Sequence, residues 1–177
     1  PNNKLPGIEM NSGSLGAWPS GQRGNGACGE EDDRDYRVYT VMGDGELAEG
    51  SVWEGAMAAS HYKLDNLCAV VDRNRLQISG RTEDVMAHDD LHERFGAFGW
   101  NVIDVADGND IDQLKVALDT AKTVKGRPSV LIANTVKGKG SSVMEDKANW
   151  HHKVPSGEEL AQIRKDLADR KEAALRG

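Results

Sequence analysis

The chain reads Arg37-Val38-Tyr39-Thr40-Val41-Met42-Gly43-Asp44-Gly45 where a short apolar run passes into a glycine-rich turn. A nearly continuous apolar run of this length is typical of a strand covered on both faces. Two glycines around a carboxylate let the backbone approach an anion closely, while the side chain of Asp44 stays free to bind a cation. This stretch therefore predicts a buried strand that ends at a ligand site.

Similar apolar runs recur along the chain and alternate with longer amphipathic ones. The predicted strands are residues 37–42, 67–72, 101–105 and 129–135. Helical spacing or charge patterning predicts helices at residues 51–63, 89–98, 110–124 and about 158–175, with Asp110 as an N-cap. The alternation indicates repeated βα units, and we expect an α/β fold with a doubly wound parallel sheet flanked by helices.

Composition excludes several classes of protein. The chain has 177 residues, the length of one domain, and a formal net charge of −7, which argues against nucleic-acid or membrane-surface partners. It has no apolar run of the ~18 residues that a membrane span needs and no signal-peptide pattern. Its two cysteines are too few for a disulfide scaffold, and Cys68 in its apolar run predicts a buried thiol in a reducing, cytoplasmic setting.

The chain divides by pattern into three parts. Residues 1–35 are predicted to be an irregular N-terminal segment, because residues 14–35 are rich in Gly, Ser and charge and show no regular period. Residues 36–155 form the predicted α/β domain, and residues 156–177 the predicted C-terminal helix. The start at Pro1, without Met or a recognisable first element, leads us to expect a piece of a longer protein.

Candidate functional residues follow the predicted strands, because ligands in doubly wound sheets bind at the carboxyl ends of the strands. Asp44 follows the first strand and Asn74 the second, thirty residues later, which is one helix plus one strand. Lys137 and His151 follow the fourth strand. Mg²⁺ takes about six oxygens, so Asp44, Asn74 and one backbone carbonyl would leave room for a diphosphate. Taken singly, these residues also fit a common turn, a loop cap and a solvated surface.

The pattern resembles a known family. Gly43-Asp44-Gly45 with Asn74 thirty residues later looks like the thiamine-diphosphate motif, and residues 43–80 resemble transketolase, in particular the separate N-terminal subunit of split forms. The likeness runs from about residue 36 to residue 155 and resumes upstream over residues 6–16. A related synthase of the deoxyxylulose-phosphate type and a catalytically silent fragment are the alternatives.

The resemblance implies a role for each matching residue. Asp44 and Asn74 would bind Mg²⁺ by side chain and Leu76 by its backbone carbonyl. The residues implied to contact thiamine diphosphate are Gly13, Ser14, Leu15, Gly45, Asn74, Lys137 and His151. His151 would also touch substrate as a catalytic residue, while Glu49 and Glu54 match acidic positions at a subunit contact.

The resemblance also implies an activity and partners. The reaction would transfer a two-carbon ketol unit from a ketose phosphate to an aldose phosphate, with the thiazolium as electron sink. The glutamate that activates the cofactor would come from a C-terminal transketolase subunit or domain. We therefore expect a homo- or hetero-oligomer and an isolated chain that does not turn over substrate.

Three departures from the family pattern modify these expectations. The family's upstream histidines have no counterpart before Pro1. Residues 17–32 leave the family pattern, which returns at residues 35–38, as expected for a diverged loop or a pair of compensating frame errors. Either origin removes a core helix and predicts an exposed sheet face. His152 stands where the family has Gly, which changes the backbone beside His151.

Overall fold

A four-stranded parallel sheet forms the centre of the computed structural model, which describes Pro6, Ile8 and residues 36–176. In chain order the strands are β1 (Val38–Gly43), β2 (Leu67–Arg73), β3 (Leu76–Gln77), β4 (Gly80–Arg81), β5 (Asn101–Val105) and β6 (Ser129–Asn134). The large sheet has the order β1-β2-β6-β5, and β3 pairs with β4 in a separate hairpin. The four strands predicted from apolar runs are confirmed to within one residue at each end.

Five helices accompany the strands among the described residues. They are α1 (Gly50–His61), α2 (Thr82–Val85), α3 (Leu91–Ala97), α4 (Ile111–Thr123) and α5 (Gly157–Arg176), with short 3-10 turns at Asp44–Ala48 and Ala148–Trp150. The four predicted helices are confirmed within about two residues at each end. The 3-10 turns, α2 and the β3–β4 hairpin were not predicted, because elements of two to five residues are too short to show a period.

Two apolar clusters lie on opposite faces of the sheet. On one face Leu67 and Val71 of β2 pack with residues of α1 and α3. On the other face Cys68 of β2 packs with Ala117 and Ala121 of α4. Alternate residues of a strand point to opposite faces, so helices cover both faces of β2. This arrangement confirms the predicted α/β fold with a doubly wound sheet.

The edge strand β1 leaves part of one face open. Tyr39 pairs in register with Cys68, so the two share a face, yet Tyr39 is 44% and Val41 66% exposed. The second apolar cluster therefore stops before β1. An exposed sheet face was expected from the departure at residues 17–32, although those residues lie outside the described part of the chain.

Two further features concern the thiol of Cys68 and the hydrophobicity of the helices. Cys68 is fully buried and unpaired by disulfide, and burial raises its pKa to about 11, so the predicted buried thiol is confirmed. In the part of the chain that the structure describes, none of the helices combines the length and apolarity that crossing a membrane requires.

Candidate functional site

The carboxyl ends of three strands meet at one edge of the sheet. Gly43 at the end of β1 pairs with Asp72 of β2, and Asp72 pairs with Ala133 of β6. The following loops stay together, because the Thr135 N–H donates to the Arg73 carbonyl at 3.2 Å. The residues after β1, β2 and β6 are therefore neighbours, as the sequence predicts for Asp44 and Asn74.

Asp44 reaches from the turn after β1 into the loop after β2. It is 2% exposed, and its Oδ2 accepts the Arg75 N–H at 2.6 Å and the Thr82 hydroxyl at 3.5 Å. Its Oδ1 accepts the Gly45 N–H at 3.0 Å. These bonds fix both oxygens of the carboxylate at the sheet edge.

The electrostatic setting of Asp44 suits a cation. Burial raises the pKa of Asp44, and the neighbouring charge of Asp72 raises it further. The backbone N–H groups of Arg75 and Gly45 and the charge of His88 oppose that rise without cancelling it. A cation at this position would favour the ionised form and offset the cost of burying it.

The loop after β2 is sharply turned. The Asn74 Oδ1 accepts the Leu76 N–H at 3.0 Å, and Arg75 has a φ of 63°, in the left-handed region. Because Asp44 binds the Arg75 N–H, the structure brings Asp44, Asn74 and Leu76 together. Their role as metal ligands stays a prediction.

The donor set at this edge fits Mg²⁺ better than a transition metal. Among the described residues there is no group of three or more His, Cys, Asp or Glu side chains that could hold a metal ion. With the ligands that the sequence predicts, a cation beside Asp44 would take one carboxylate, one amide and one carbonyl from the protein and its other oxygens from a ligand and water. Mg²⁺ binds in this way with phosphate ligands.

Gly45 lies against the β3–β4 hairpin. A Cβ added at Gly45 would lie 3.0 Å from the Cβ and 3.3 Å from the Oε1 of Gln77. A larger residue would have to displace Gln77 at the point where the backbone passes Asp44. The absence of a side chain at Gly45 thus lets the turn after β1 pack closely against Gln77.

A cavity of about 470 Å³ opens at the same edge. Asp72 and Asn74 line it from β2, Asn109 from the loop after β5, and Lys137 from the loop after β6. Lys137 thus lies in the same cavity as Asn74, as the sequence predicts. The cavity is lined by the ammonium group of Lys137, the amides of Asn74 and Asn109 and the carboxylate of Asp72. This set suits a ligand that carries both an anionic group and hydrogen-bond donors.

Two residues of this edge were missed in the sequence. Thr135 donates its hydroxyl to Asp72 in a short hydrogen bond that joins the ends of β6 and β2. Asp72 stands two residues before Asn74, so its place at a strand end was a usable signal. Nothing local marks Thr135, because the two residues are 63 positions apart in sequence.

His151 lies on an exposed segment after the second 3-10 turn rather than among the residues that line the cavity. Partial burial, aided by the charges of Lys137 and His152, lowers the pKa of His151. The imidazole is therefore neutral at pH 7. The rings of His151 and His152 meet edge to face with centroids 4.7 Å apart, so the residue that replaces the family's Gly contacts His151 directly.

Two predicted acidic residues lie apart from this cluster. Glu49 and Glu54 are exposed at the start of α1, which is compatible with the predicted subunit contact and leaves it untested. Gly13, Ser14 and Leu15 lie outside the described residues.

Comparisons of the sequence with known proteins point to one family. Residues 24–174 match the family described as "Transketolase, thiamine diphosphate binding domain". The chain is 43% identical over 170 residues to one of the subunits of the apulose-4-phosphate transketolase of Phocaeicola vulgatus, a match that covers 96% of this chain and 60% of that protein. It is 42% identical over 146 residues to human transketolase, covering 82% of this chain and 23% of that protein.

The fold comparison points the same way. The crystal structure of transketolase from Campylobacter jejuni superimposes with a TM-score of 0.82 and 27% identity, covering 92% of this chain and 26% of that chain. The chain thus spans 60% of the Phocaeicola protein and about a quarter of the human and Campylobacter proteins.

Proposed function

This chain belongs to the transketolase family, as its thiamine-diphosphate-binding domain, and we propose that it binds thiamine diphosphate with Mg²⁺ as the N-terminal subunit of a split transketolase. The observation that carries the proposal is the buried Asp44 carboxylate, bonded at 2.6 Å to the loop that presents Asn74 and Leu76. The transketolase names of the relatives favour this activity over a synthase of the deoxyxylulose-phosphate type.

Each site residue has a task in this proposal. Asp44 and Asn74 would hold Mg²⁺ by side chain and Leu76 by its carbonyl, while Gly45 would lie beside the diphosphate. Lys137, in the same cavity as Asn74, adds positive charge for the anion. Because the imidazole of His151 is neutral at pH 7, it can accept a proton or a hydrogen bond from substrate.

The proposed reaction transfers a two-carbon ketol unit from a ketose phosphate to an aldose phosphate. Thiamine diphosphate, when bound, supplies the electron sink that this transfer needs. We propose that a C-terminal transketolase subunit contributes the activating glutamate, since the Phocaeicola relative is itself named as one subunit of a transketolase. The chain alone would then bind the diphosphate end of the cofactor and turn over no substrate.

Asn74→Ala tests the metal site. We expect it to abolish binding of thiamine diphosphate in the presence of Mg²⁺, because it removes an oxygen ligand and the bond that shapes the loop. The measurement is calorimetric titration of the full chain co-expressed with the C-terminal subunit. Asn101→Ala is the matched control, since Asn101 starts β5 at the opposite sheet edge and bonds Ser129. Unchanged binding in Asn74→Ala would overturn the metal assignment.

A further inference from the structure

The segment 137–147, here called the lysine loop, begins with Lys137 shortly after β6 and ends where the second 3-10 turn begins. Its ends are tied by the Asp146 N–H, which donates to the Lys137 carbonyl at 2.9 Å. The Lys147 ammonium donates to the carbonyls of Ser142 at 3.3 Å and Val143 at 2.7 Å. These bonds within the loop give it a defined shape.

Helix α5 holds this loop from outside through one carboxylate. The Oδ2 of Asp166 accepts both the N–H and the hydroxyl of Ser142, each at 2.7 Å. Its Oδ1 accepts the side-chain amide of Gln162 at 2.7 Å. These bonds hold the pKa of Asp166 below its usual range, with the Ser142 hydroxyl as the largest cause. The carboxylate is thus ionised at neutral pH, and both of its oxygens are occupied.

The same helix forms a wall of the cavity. Ile163, which is buried, and Leu167 line the cavity from α5, opposite Asp72 and Asn74 at the sheet edge. Asp166 lies between these two apolar residues in sequence and bonds the loop that carries Lys137. One turn of α5 therefore lines the cavity and also bonds the lysine loop, which contains Lys137.

We infer that Asp166 is a positioning residue, which fixes the lysine loop through Ser142 and so holds Lys137 at the cavity beside Asn74. This inference rests on the proposed function, because it assigns Asp166 an indirect effect on the affinity for the diphosphate. Asp166 carries the same charge as the ligand, so direct contact would weaken binding. Removal of Asp166 would therefore weaken ligand binding only if Asp166 acts through the lysine loop.

Two variants of Asp166 distinguish the effect of its hydrogen bonds to Ser142 from the effect of its negative charge. Asp166→Ala and Asp166→Asn both remove one negative charge, but only Asn keeps an oxygen that can accept from Ser142. We expect Asp166→Ala to weaken binding of inorganic pyrophosphate with Mg²⁺ by about fivefold to tenfold, and Asp166→Asn to stay within about twofold of wild type, because a bond to a charged group is lost in one and replaced in the other. Titrations use the full chain with its C-terminal subunit. Hydrogen exchange should quicken across residues 137–147 in Asp166→Ala alone.

A double-mutant cycle shows whether the effect passes through Lys137. In a Lys137→Ala background we expect Asp166→Ala to cause no further loss of affinity. Additive losses, or equal behaviour of the Ala and Asn variants, would overturn the inference. If the wild-type assembly binds neither pyrophosphate nor thiamine diphosphate, the proposed function fails and the inference with it. Binding by wild type that Asp166→Ala leaves unchanged overturns the inference alone.

Discussion

At the residue scale, Asp44 shows the conflict between burial and charge most clearly. Its carboxylate is almost inaccessible to water, and the backbone N–H bonds that it accepts do not restore the lost solvation, so its pKa stays raised. A folded protein that ionises such a group is less stable than it would be with the same group protonated. Functional sites commonly carry costs of this kind, which a bound ligand then offsets.

This conflict predicts the pH dependence of the ligand-free protein. Because the folded-state pKa of Asp44 lies above the ordinary value of 3.8, the penalty is complete above the folded pKa and absent below 3.8. The unfolding free energy of wild type should therefore rise relative to that of Asp44→Asn as the pH falls from 7 towards 4. Urea denaturation in EDTA at several pH values measures this difference. A difference that stays constant across that range would contradict the prediction.

At the element scale, the helices differ in how they are held. Helix α4 has a local start signal, because the Asp110 Oδ1 accepts the N–H groups of Asp112 at 2.8 Å and Gln113 at 3.3 Å, which confirms the predicted N-cap. Helix α5 buries little beyond Ile163 and is joined to the lysine loop through Asp166 and to Lys153 through Glu159. Helix α4 therefore combines a local cap with a packed apolar face, whereas α5 is held largely by polar contacts.

The cap of α4 can be tested against its neighbour. Asp110→Ala should lower the urea midpoint by at least about twice as much as Asp112→Ala, since both remove a charge from the first turn but only Asp110 caps the helix. The cap bonds lower the pKa of Asp110, so its contribution is present above 3.8 and is lost as the pH falls through the folded value. Equal midpoints for the two variants at pH 7 would show that the cap does not stabilise α4.

At the scale of the whole molecule, Cys68 reports on the integrity of the sheet. It lies in β2, between β1 and β6, and its fully buried thiol has a pKa of about 11. A reagent reaches its thiol only when α4 moves away from this face of the sheet. Its reactivity therefore measures opening of the packing between α4 and the sheet.

We expect Cys68 to resist thiol labelling at pH 8 in a Cys28→Ala background. Labelling should become fast only at urea concentrations that unfold the protein. Above pH 9.0 the unfolded thiol ionises while the folded one stays protonated to about 11, so this group lowers stability as the pH rises through that window. Rapid labelling without denaturant would show that α4 leaves the sheet under native conditions.

Much of the fold and the centre of the site followed from local sequence. Apolar runs marked the four long strands, and helical spacing marked the longer helices, because burial on one or both faces imposes those patterns. The adjacency of Asp44 and Asn74 followed from one helix and one strand between them. Sequence likeness supplied the proposed roles of Leu76, Lys137 and His151, which local pattern alone left open.

The remaining features depended on how distant segments pair. Strand β6 lies between β2 and β5 in the sheet although it is the last of the described strands in sequence. This insertion joins Thr135 to Asp72 and places Lys137 in the same cavity as Asn74. The bond between Asp166 and Ser142 likewise joins elements that no local pattern connects. Local sequence patterns indicate which residues are buried and whether they recur with the period of a helix or of a strand. Strand order and loop contacts instead depend on how segments that are distant in sequence pack against one another in the folded chain.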